Sequence, residues 1–102
     1  METKRGIFHI KDADCLIYSN KCAIALKYDR KIKPAPFVVY KSKNIQTALK
    51  KAKILNLPIF KRKIANNIYK TTLFDETIER KIFKPIAEII AAIYNSRDEN
   101  EY

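Results

Sequence analysis

One stretch, Cys22–Tyr40, constrains the fold of this chain more than any other. It reads Cys-Ala-Ile-Ala-Leu-Lys-Tyr-Asp-Arg-Lys-Ile-Lys-Pro-Ala-Pro-Phe-Val-Val-Tyr. Two strand-like runs, Cys22–Tyr28 and Phe37–Lys41, flank a connection that carries a basic cluster. The first run alternates loosely. The second is mostly apolar and β-branched, the pattern of a strand covered on both faces. Pro34 and Pro36 cannot both donate within a ladder, so Asp29–Pro36 is the connection. The remaining chain must extend this pair of strands or pack against it.

Upstream, Cys15-Leu16-Ile17-Tyr18 is a short apolar run between Asp14 and the turn-forming Ser19-Asn20-Lys21, which predicts a further strand. Residues 1–14 place Ile7, Phe8 and Ile10 among charges, as in a short strand or loose arm. Downstream, Ser42 or Asn44 caps a helix whose apolar positions Ile45, Ala48, Leu49, Ala52 and Leu55 fall on one face. Asn56 suits its end and Pro58 stops it, leaving Leu57–Phe60 as a fourth strand. Strand, helix and strand in this order imply a βαβ unit with a right-handed crossover. A short helix over Ile64–Lys70 follows, then a loop over Thr71–Thr77. The longest helical pattern, Ile78–Tyr94, repeats Ile82, Ile86, Ile89, Ile90 and Ile93 at helical spacing. Pro85 either starts the helix proper or kinks it. Residues 95–102 are rich in charge and expected as a flexible acidic tail. The expected fold is a small α/β (α+β) domain over 15–94, a four-stranded sheet surrounded by helices, flanked by an arm at 1–14 and that tail.

With 102 residues the chain is one domain that needs no metal or disulfide to fold. No run of about 18 apolar residues suggests a membrane span, and the start is too polar for a signal peptide. Cys15 and Cys22 read as small buried hydrophobes. With His9 they match no standard zinc spacing, and neither a metal nor a cofactor is expected. The net charge of +10 is uneven. Residues 1–35 carry +4, residues 36–70 carry +9 with no acidic group, and residues 71–102 carry −3. The middle third holds Lys41, Lys43, Lys50, Lys51, Lys53, Lys61, Arg62 and Lys63. This is either a surface for phosphate, anionic lipid or an acidic protein, or simply a solvated lysine-rich face.

Several segments together resemble the cytoplasmic C-terminal domain of the FlhB/YscU family, the substrate-specificity switch proteins of flagellar and type III export. They are A-I-A-L-K-Y-D at 23–29, P-A-P-F-V-V at 34–39, L-P-I-F at 57–60, I-A-N-N-I-Y at 64–69 and P-I-A-E-I-I-A-A-I-Y at 85–94. They occur in the family's order and near its spacing. The resemblance implies a four-stranded sheet wrapped by helices. Family members carry a membrane domain ahead of this one. The chain starts with its own Met1 and is expected as a stand-alone, FlhX-like homologue.

The family's hallmark is an Asn-Pro-Thr-His turn before the strand that matches Ala23–Lys27. There the Asn side chain attacks its own carbonyl and severs the Asn–Pro bond, chemistry that needs the amide and a strained turn. The matching positions are Tyr18, Ser19, Asn20 and Lys21, so the resemblance implies a homologue that does not cleave itself. Relatives are thought to bind export signals through an apolar patch that corresponds to Ala35, Pro36, Ala87 and Ile90; Ala87 and Ile90 also read as plain core. Where relatives carry prolines and an Arg before the short helix, this chain has Lys61-Arg62-Lys63 and then Asn66.

Two functions follow as expectations. The first is a non-enzymatic docking module that binds export substrates or apparatus components. It would be a monomer in the bacterial cytoplasm, peripheral to the inner-membrane export apparatus. The second is a nucleic-acid or anionic-surface binder using the basic third, with Tyr40 and Phe60 to stack on bases. An independent enzyme is disfavoured. The chain has one His, no nucleophile–base set and no Gly-rich phosphate loop.

Overall fold

A computed structural model of the chain describes residues 8–100, with side chains described through residue 93. Four strands form one mixed sheet: β1 (Cys15–Tyr18), β2 (Ala23–Lys27), β3 (Phe37–Ser42) and β4 (Ile59–Lys61), in spatial order β3-β2-β1-β4. The β1–β2 and β2–β3 pairs are antiparallel, while β4 runs parallel to β1 with Leu16 opposite Ile59. Four helices accompany the sheet: α1 (Ile45–Ile54), α2 (Ile64–Thr71), α3 (Arg80–Phe83) and α4 (Ala87–Asn100).

Alternation along the strands divides the core in two. Cys15, Ile17, Ile24, Leu26 and Val38 face Ala65 and Ile68 of α2 and Ile82, Ile86, Ile89 and Ile93 of the last segment. Leu16, Ala23, Ala25, Phe37 and Val39 face Ala48 and Ala52 of α1. The small alanines of β2 and α1 meet, which lets this helix lie close to the sheet. Phe8, Ile10 and Ala13 join the α1 side, Phe8 against Phe37 with ring centroids 5.2 Å apart. The Asp14 carboxylate accepts the Tyr28 N–H at 2.6 Å. Residues 8–14 are therefore docked, with a 3-10 turn at Ile10–Asp12, where a loose arm or strand was expected. The part of that arm at residues 1–7 lies outside the described residues.

The ends of α1 follow local chemistry. The Asn44 side chain accepts the Thr47 N–H at 3.0 Å. At the other end Asn56 has φ of 58°, Leu57 N–H reaches Ala52 O at 2.9 Å, and Asn56 N–H reaches Lys53 O at 3.1 Å. That pair of bonds satisfies carbonyls the helix leaves open, with an Asn in the left-handed region. Leu57 is thus part of the helix stop, and β4 begins two residues later than its apolar run suggested. β3 and β4 are parallel members of one sheet, as the βαβ pattern predicts, but they are not neighbours. A ten-residue helix covers about 15 Å. With its flanking turns it carries the chain across β2 and β1 to the open edge of β1.

β3 contains a bulge. Ala25 pairs with Tyr40 and Leu26 with Val38, so Val39 is an extra residue. The bulge reverses the alternation beyond it. Tyr40 joins Val39 on the α1 side, and Lys41 passes to the α2 side, where its ammonium meets Tyr69 O at 2.9 Å. On the outer edge of β3, Val38 exchanges bonds with Glu76 O (3.0 Å) and Asp75 N (2.7 Å), and Phe37 bridges Thr77. The expected loop at Thr71–Thr77 is therefore half structural: Thr71 closes α2, and Asp75–Thr77 cover the start of β3.

Over Ile78–Tyr94 the structure has the first of the two readings of Pro85: the helix proper begins just after it, and a separate single turn precedes it. Ile78 donates to Pro36 O at 2.9 Å as part of the edge segment, α3 is one turn, and α4 starts only after Pro85. Pro85 has no N–H for the Lys81 carbonyl, and its ring clashes there, so the helix restarts. The apolar face survives the break, since Ile78, Ile82, Ile86, Ile89 and Ile93 are all buried. The helix also continues to Asn100 instead of ending at Tyr94, so most of the expected tail is its last turns. Residues 101–102 lie outside the described residues.

Replacing Asn44 by Ala removes one cap bond and is expected to cost about 1 kcal/mol. Asn56→Gly should be neutral or stabilising, and Asn56→Val should cost about 1–2 kcal/mol because a β-branched residue resists positive φ. Urea titrations check this ordering through shifted midpoints at unchanged slope.

Candidate functional site

The turn joining β1 to β2 is built around the Ser19 hydroxyl. Ser19 N–H donates to Cys22 O at 2.9 Å and closes the turn. Its Oγ accepts N–H groups from Lys21 (3.1 Å) and Cys22 (3.3 Å). The hydroxyl proton goes to Asn66 Oδ1 on α2 at 2.5 Å. The same Asn66 oxygen receives the Cys22 thiol at 3.4 Å, and that sulfur also lies 3.6 Å from Ala65 O. Ser19 is 5% exposed, so the network is sheltered from water. One residue earlier, Tyr18 O accepts the Arg62 N–H at 2.8 Å, which ties the turn to the start of α2. Asn20 and Lys21 are exposed at the tip.

Of the four turn positions singled out in the sequence, Ser19 thus becomes the organiser, Tyr18 packs against the α1-side core and Asn20 and Lys21 stay on the surface. Asn66, noted only as standing where relatives carry an Arg, turns out to hold the turn. A Ser in a turn signals such a hydroxyl-to-backbone motif, but a partner 47 residues away carries no local signature.

The four apolar patch residues are carried by two elements. Ala35 (7% exposed) and the buried Pro36 lie just before β3, and Pro36 O accepts the Ile78 N–H. Ala87 is exposed on the first turn of α4, and Ile90 is half-buried against the α2-side core. Ala35 and Pro36 join neither core cluster, so the four form no common cluster among the described residues. Glu88, next to Ala87, meets Arg62 at 2.6 Å, so the same short segment that holds Tyr18 also touches the start of α4.

The eight basic residues divide by face. Lys50, Lys51 and Lys53 are exposed on α1, with Lys51 5.4 Å from the Tyr40 ring. Lys61, Arg62 and Lys63 lie at the β4–α2 junction, where Arg62 covers Phe60 and pairs with Glu88. Lys43 is exposed after β3. Lys41 is not a free surface charge, because it is bonded to Tyr69 O and packed over the rings of Tyr69 (5.2 Å) and Phe74 (5.7 Å). Burial pulls its pKa below the usual lysine value, an effect the Glu76 carboxylate partly opposes. The two rings expected to stack on bases are separated by the sheet, Tyr40 on the α1 side and Phe60 on the α2 side.

Cys15 is fully buried, and burial pushes its thiol up to about 12, so it is an inert core residue. Among the described residues no three His, Cys, Asp or Glu side chains gather as metal ligands, and no helix is long and apolar enough to cross a membrane.

The mixed sheet with one helix on one face and the rest on the other is the architecture of the C-terminal, cytoplasmic domains of FlhB- and EscU-type proteins. It superimposes on the cytoplasmic domain of FlhB from Shewanella putrefaciens with a TM-score of 0.74 at 30% identity, covering 83% of this chain and 71% of that one. A variant of the EscU C-terminal domain with an Asn replaced by Asp gives 0.75 at 24% identity, covering 83% of this chain and 82% of that one. The chain is 31% identical to the flagellar biosynthetic protein FlhB of Bacillus subtilis (strain 168), over 95% of its own length and 28% of that protein's. Residues 1–93 match the FlhB HrpN YscU SpaS family, and the chain belongs to it. This is a family of flagellar and type III export-switch proteins with autocleavage, not of enzymes that turn over a separate substrate. The chain spans little more than a quarter of the Bacillus relative's length.

Removing the Asn66 amide strands a sheltered hydroxyl, and Asn66→Ala is expected to cost about 1–3 kcal/mol. Ser19→Ala should speed amide exchange at Lys21 and Cys22. The double variant should lose less than the sum of the two, because both act through one network. Denaturant midpoints of the four proteins and exchange rates at the two amides check this.

Proposed function

We propose that this chain is a non-cleaving docking module of the export apparatus, a homologue of the switch domain that binds export segments or apparatus components without severing itself. The observation that carries the reading is the β1–β2 turn of a family fold, closed by side-chain bonds around Ser19 in a chain with no Asn-Pro dipeptide anywhere. Self-cleavage at Asn-Pro exploits the missing N–H of proline: the following nitrogen cannot attack the side chain, so the side-chain amide attacks the main-chain carbonyl instead. The Tyr18 and Ser19 side chains contain no amide. Asn20 does, but it precedes Lys21, whose N–H is present and engaged by Ser19 Oγ. Solved EscU variants are substituted at an Asn and at the Pro that follows it, residues with no counterpart pair in this turn.

Binding, on this reading, uses Ala35, Pro36, Ala87 and Ile90. The first pair is fixed to the fold through Pro36 O and Ile78, and the second sits on the α4 turn that Arg62 holds through Glu88. The whole-protein activity of the relatives comes to this chain only through such a surface. The alternative, a basic nucleic-acid binder, has the +9 charge of residues 36–70 in its favour. Against it, those charges and the two candidate stacking rings are spread over both sides of the sheet. The module is expected to act in the cytoplasm, peripheral to the membrane-bound export machinery, as a monomer.

Intact mass after days at neutral pH should show one full-length species; fragments splitting after Tyr18 or Asn20 would overturn the non-cleaving reading. In pull-downs with flagellar rod and hook subunits, Ala35→Asp and Ile90→Asp should each reduce capture at least about tenfold, as buried charge in an apolar contact does. Thermal melts of both variants confirm that they remain folded. Capture unaffected by either folded variant argues against the patch. A DNA affinity that falls steeply with salt would favour the basic binder instead.

A further inference from the structure

Among the described residues, the outer edge of β3 is only half covered. Asp75–Thr77 pair with it at Phe37 and Val38 and stop there. Among the described residues no segment pairs with Tyr40, Lys41 or Ser42 on that side. An uncovered strand edge is a template for another chain.

Beside this edge opens a cavity of about 370 Å3 whose walls include the rings of Phe8, Tyr40, Tyr69 and Phe74 together with Lys41 and Lys51. Among the described residues no carboxylate lines it; Glu76, the acid that acts on Lys41, lies outside it. The bulge at Val39 gives the cavity its character, because it turns Tyr40 toward Lys51 on the α1 side and Lys41 toward the α2 side. On the α1 side Lys51 stands 5.4 Å over the Tyr40 ring. On the α2 side Lys41 stands over Tyr69 and Phe74. Lys41 spends one of its three N–H groups on Tyr69 O, which leaves two toward a partner.

We propose that the Tyr40–Ser42 edge of β3 receives an extended acidic segment of a partner protein as a fifth strand, with its carboxylates reaching Lys41 on one face of the sheet and Lys51 on the other. An added strand takes affinity from main-chain bonds and specificity from side chains that alternate between faces. Here each face offers the same pairing of a cation with aromatic rings, so acidic side chains fit on either. The same features exclude other occupants. Lysines at an edge deter a strand that has no charge to neutralise them. A second copy of β3, Phe-Val-Val-Tyr-Lys-Ser, contains a lysine and no acid, so two such edges would set lysine against lysine. The site is separate from the patch of Ala35, Pro36, Ala87 and Ile90, none of which lines the cavity.

The probe is a fluorescein-labelled peptide of alternating Glu and Val, titrated by anisotropy. Its comparators are a Lys-Val peptide and the Glu-Val peptide N-methylated at alternate main-chain nitrogens. The acidic peptide should saturate the protein well below about 1 mM. The Lys-Val peptide should not bind, and N-methylation should weaken binding at least about tenfold by removing ladder bonds. Lys51→Ala and Lys41→Met should each weaken it about three- to tenfold. Lys51 is exposed, so the first variant tests the site even if the second fails to fold. Amide exchange at Tyr40–Ser42 should slow on binding. Equal binding of the N-methylated peptide, affinity unchanged in Lys51→Ala, or no binding at about 1 mM overturns the proposal. So does a dimer of the free protein that the peptide leaves intact.

Discussion

β1 has no side it can show to water. Cys15, Leu16 and Ile17 are wholly buried, so both faces of this strand need cover, and as a strand within a sheet it needs a partner on each edge. The hairpin to β2 supplies one edge at once. The other must come from later in the chain, and α1 is the device that delivers it. It crosses the face formed by Leu16, Ala23 and Ala25 and releases the chain at the far side, where Ile59 and Phe60 pair with Leu16 and Ile17. The face formed by Cys15, Ile17, Ile24 and Leu26 remains open until α2 and the isoleucine ladder of the last segment close it. The order of elements follows from covering one strand four ways.

Closing that arrangement creates the functional geography. Arg62 stands where β4 passes into α2, its N–H on Tyr18 O and its guanidinium on Glu88. The second contact is largely exposed and contributes little stability by itself. Its importance is positional: it places the β1–β2 turn, the start of α2 and the first turn of α4 in one neighbourhood. The part of the β3 edge left unpaired among the described residues lies elsewhere, beyond β2, with Phe8, Tyr69 and Phe74 around it. The two surfaces proposed above, one apolar and one cationic, therefore fall on different parts of the fold.

What was legible in the sequence is what local pattern and local chemistry determine. β1, β2, β3 and the start of α1 stand where alternation and Asn44 put them, and Asn56 with Pro58 marks the stop. β4 was displaced by two residues because Leu57 is apolar for a different reason: it completes the helix stop with its N–H on Ala52 O. Its place beside β1 depends on which edge is still open, which no window of sequence contains. The isoleucine spacing around Pro85 marked a buried face, but it left open whether the helix starts at Pro85 or bends there, and the structure has the start. The face is a matter of side chains, whereas continuity depends on one missing N–H. At the turn, the absent Asn-Pro could be read directly, whereas the Ser19–Asn66 bond joins residues too far apart to announce each other. The bulge at Val39 was equally silent, since Val-Val-Tyr-Lys is compatible with either alternation.

That last silence bears on how a switch domain could lose its chemistry and keep its surfaces. Cleavage of an Asn–Pro bond depends on one amide and one carbonyl in one turn, so a single replacement abolishes it. A binding surface is spread over elements that the core already fixes, and it persists as long as the core does. In this chain the turn that would have to strain for cleavage is satisfied instead, with the Ser19 hydroxyl, the Cys22 thiol and the N–H groups of Ser19, Lys21 and Cys22 partnered. Such a turn holds little strain to release, and it anchors β1 and β2 to α2. On the proposed reading, the network that makes this turn unfit for cutting is what keeps the β1–β2 hairpin, and with it the strand that carries Lys41, in place for binding.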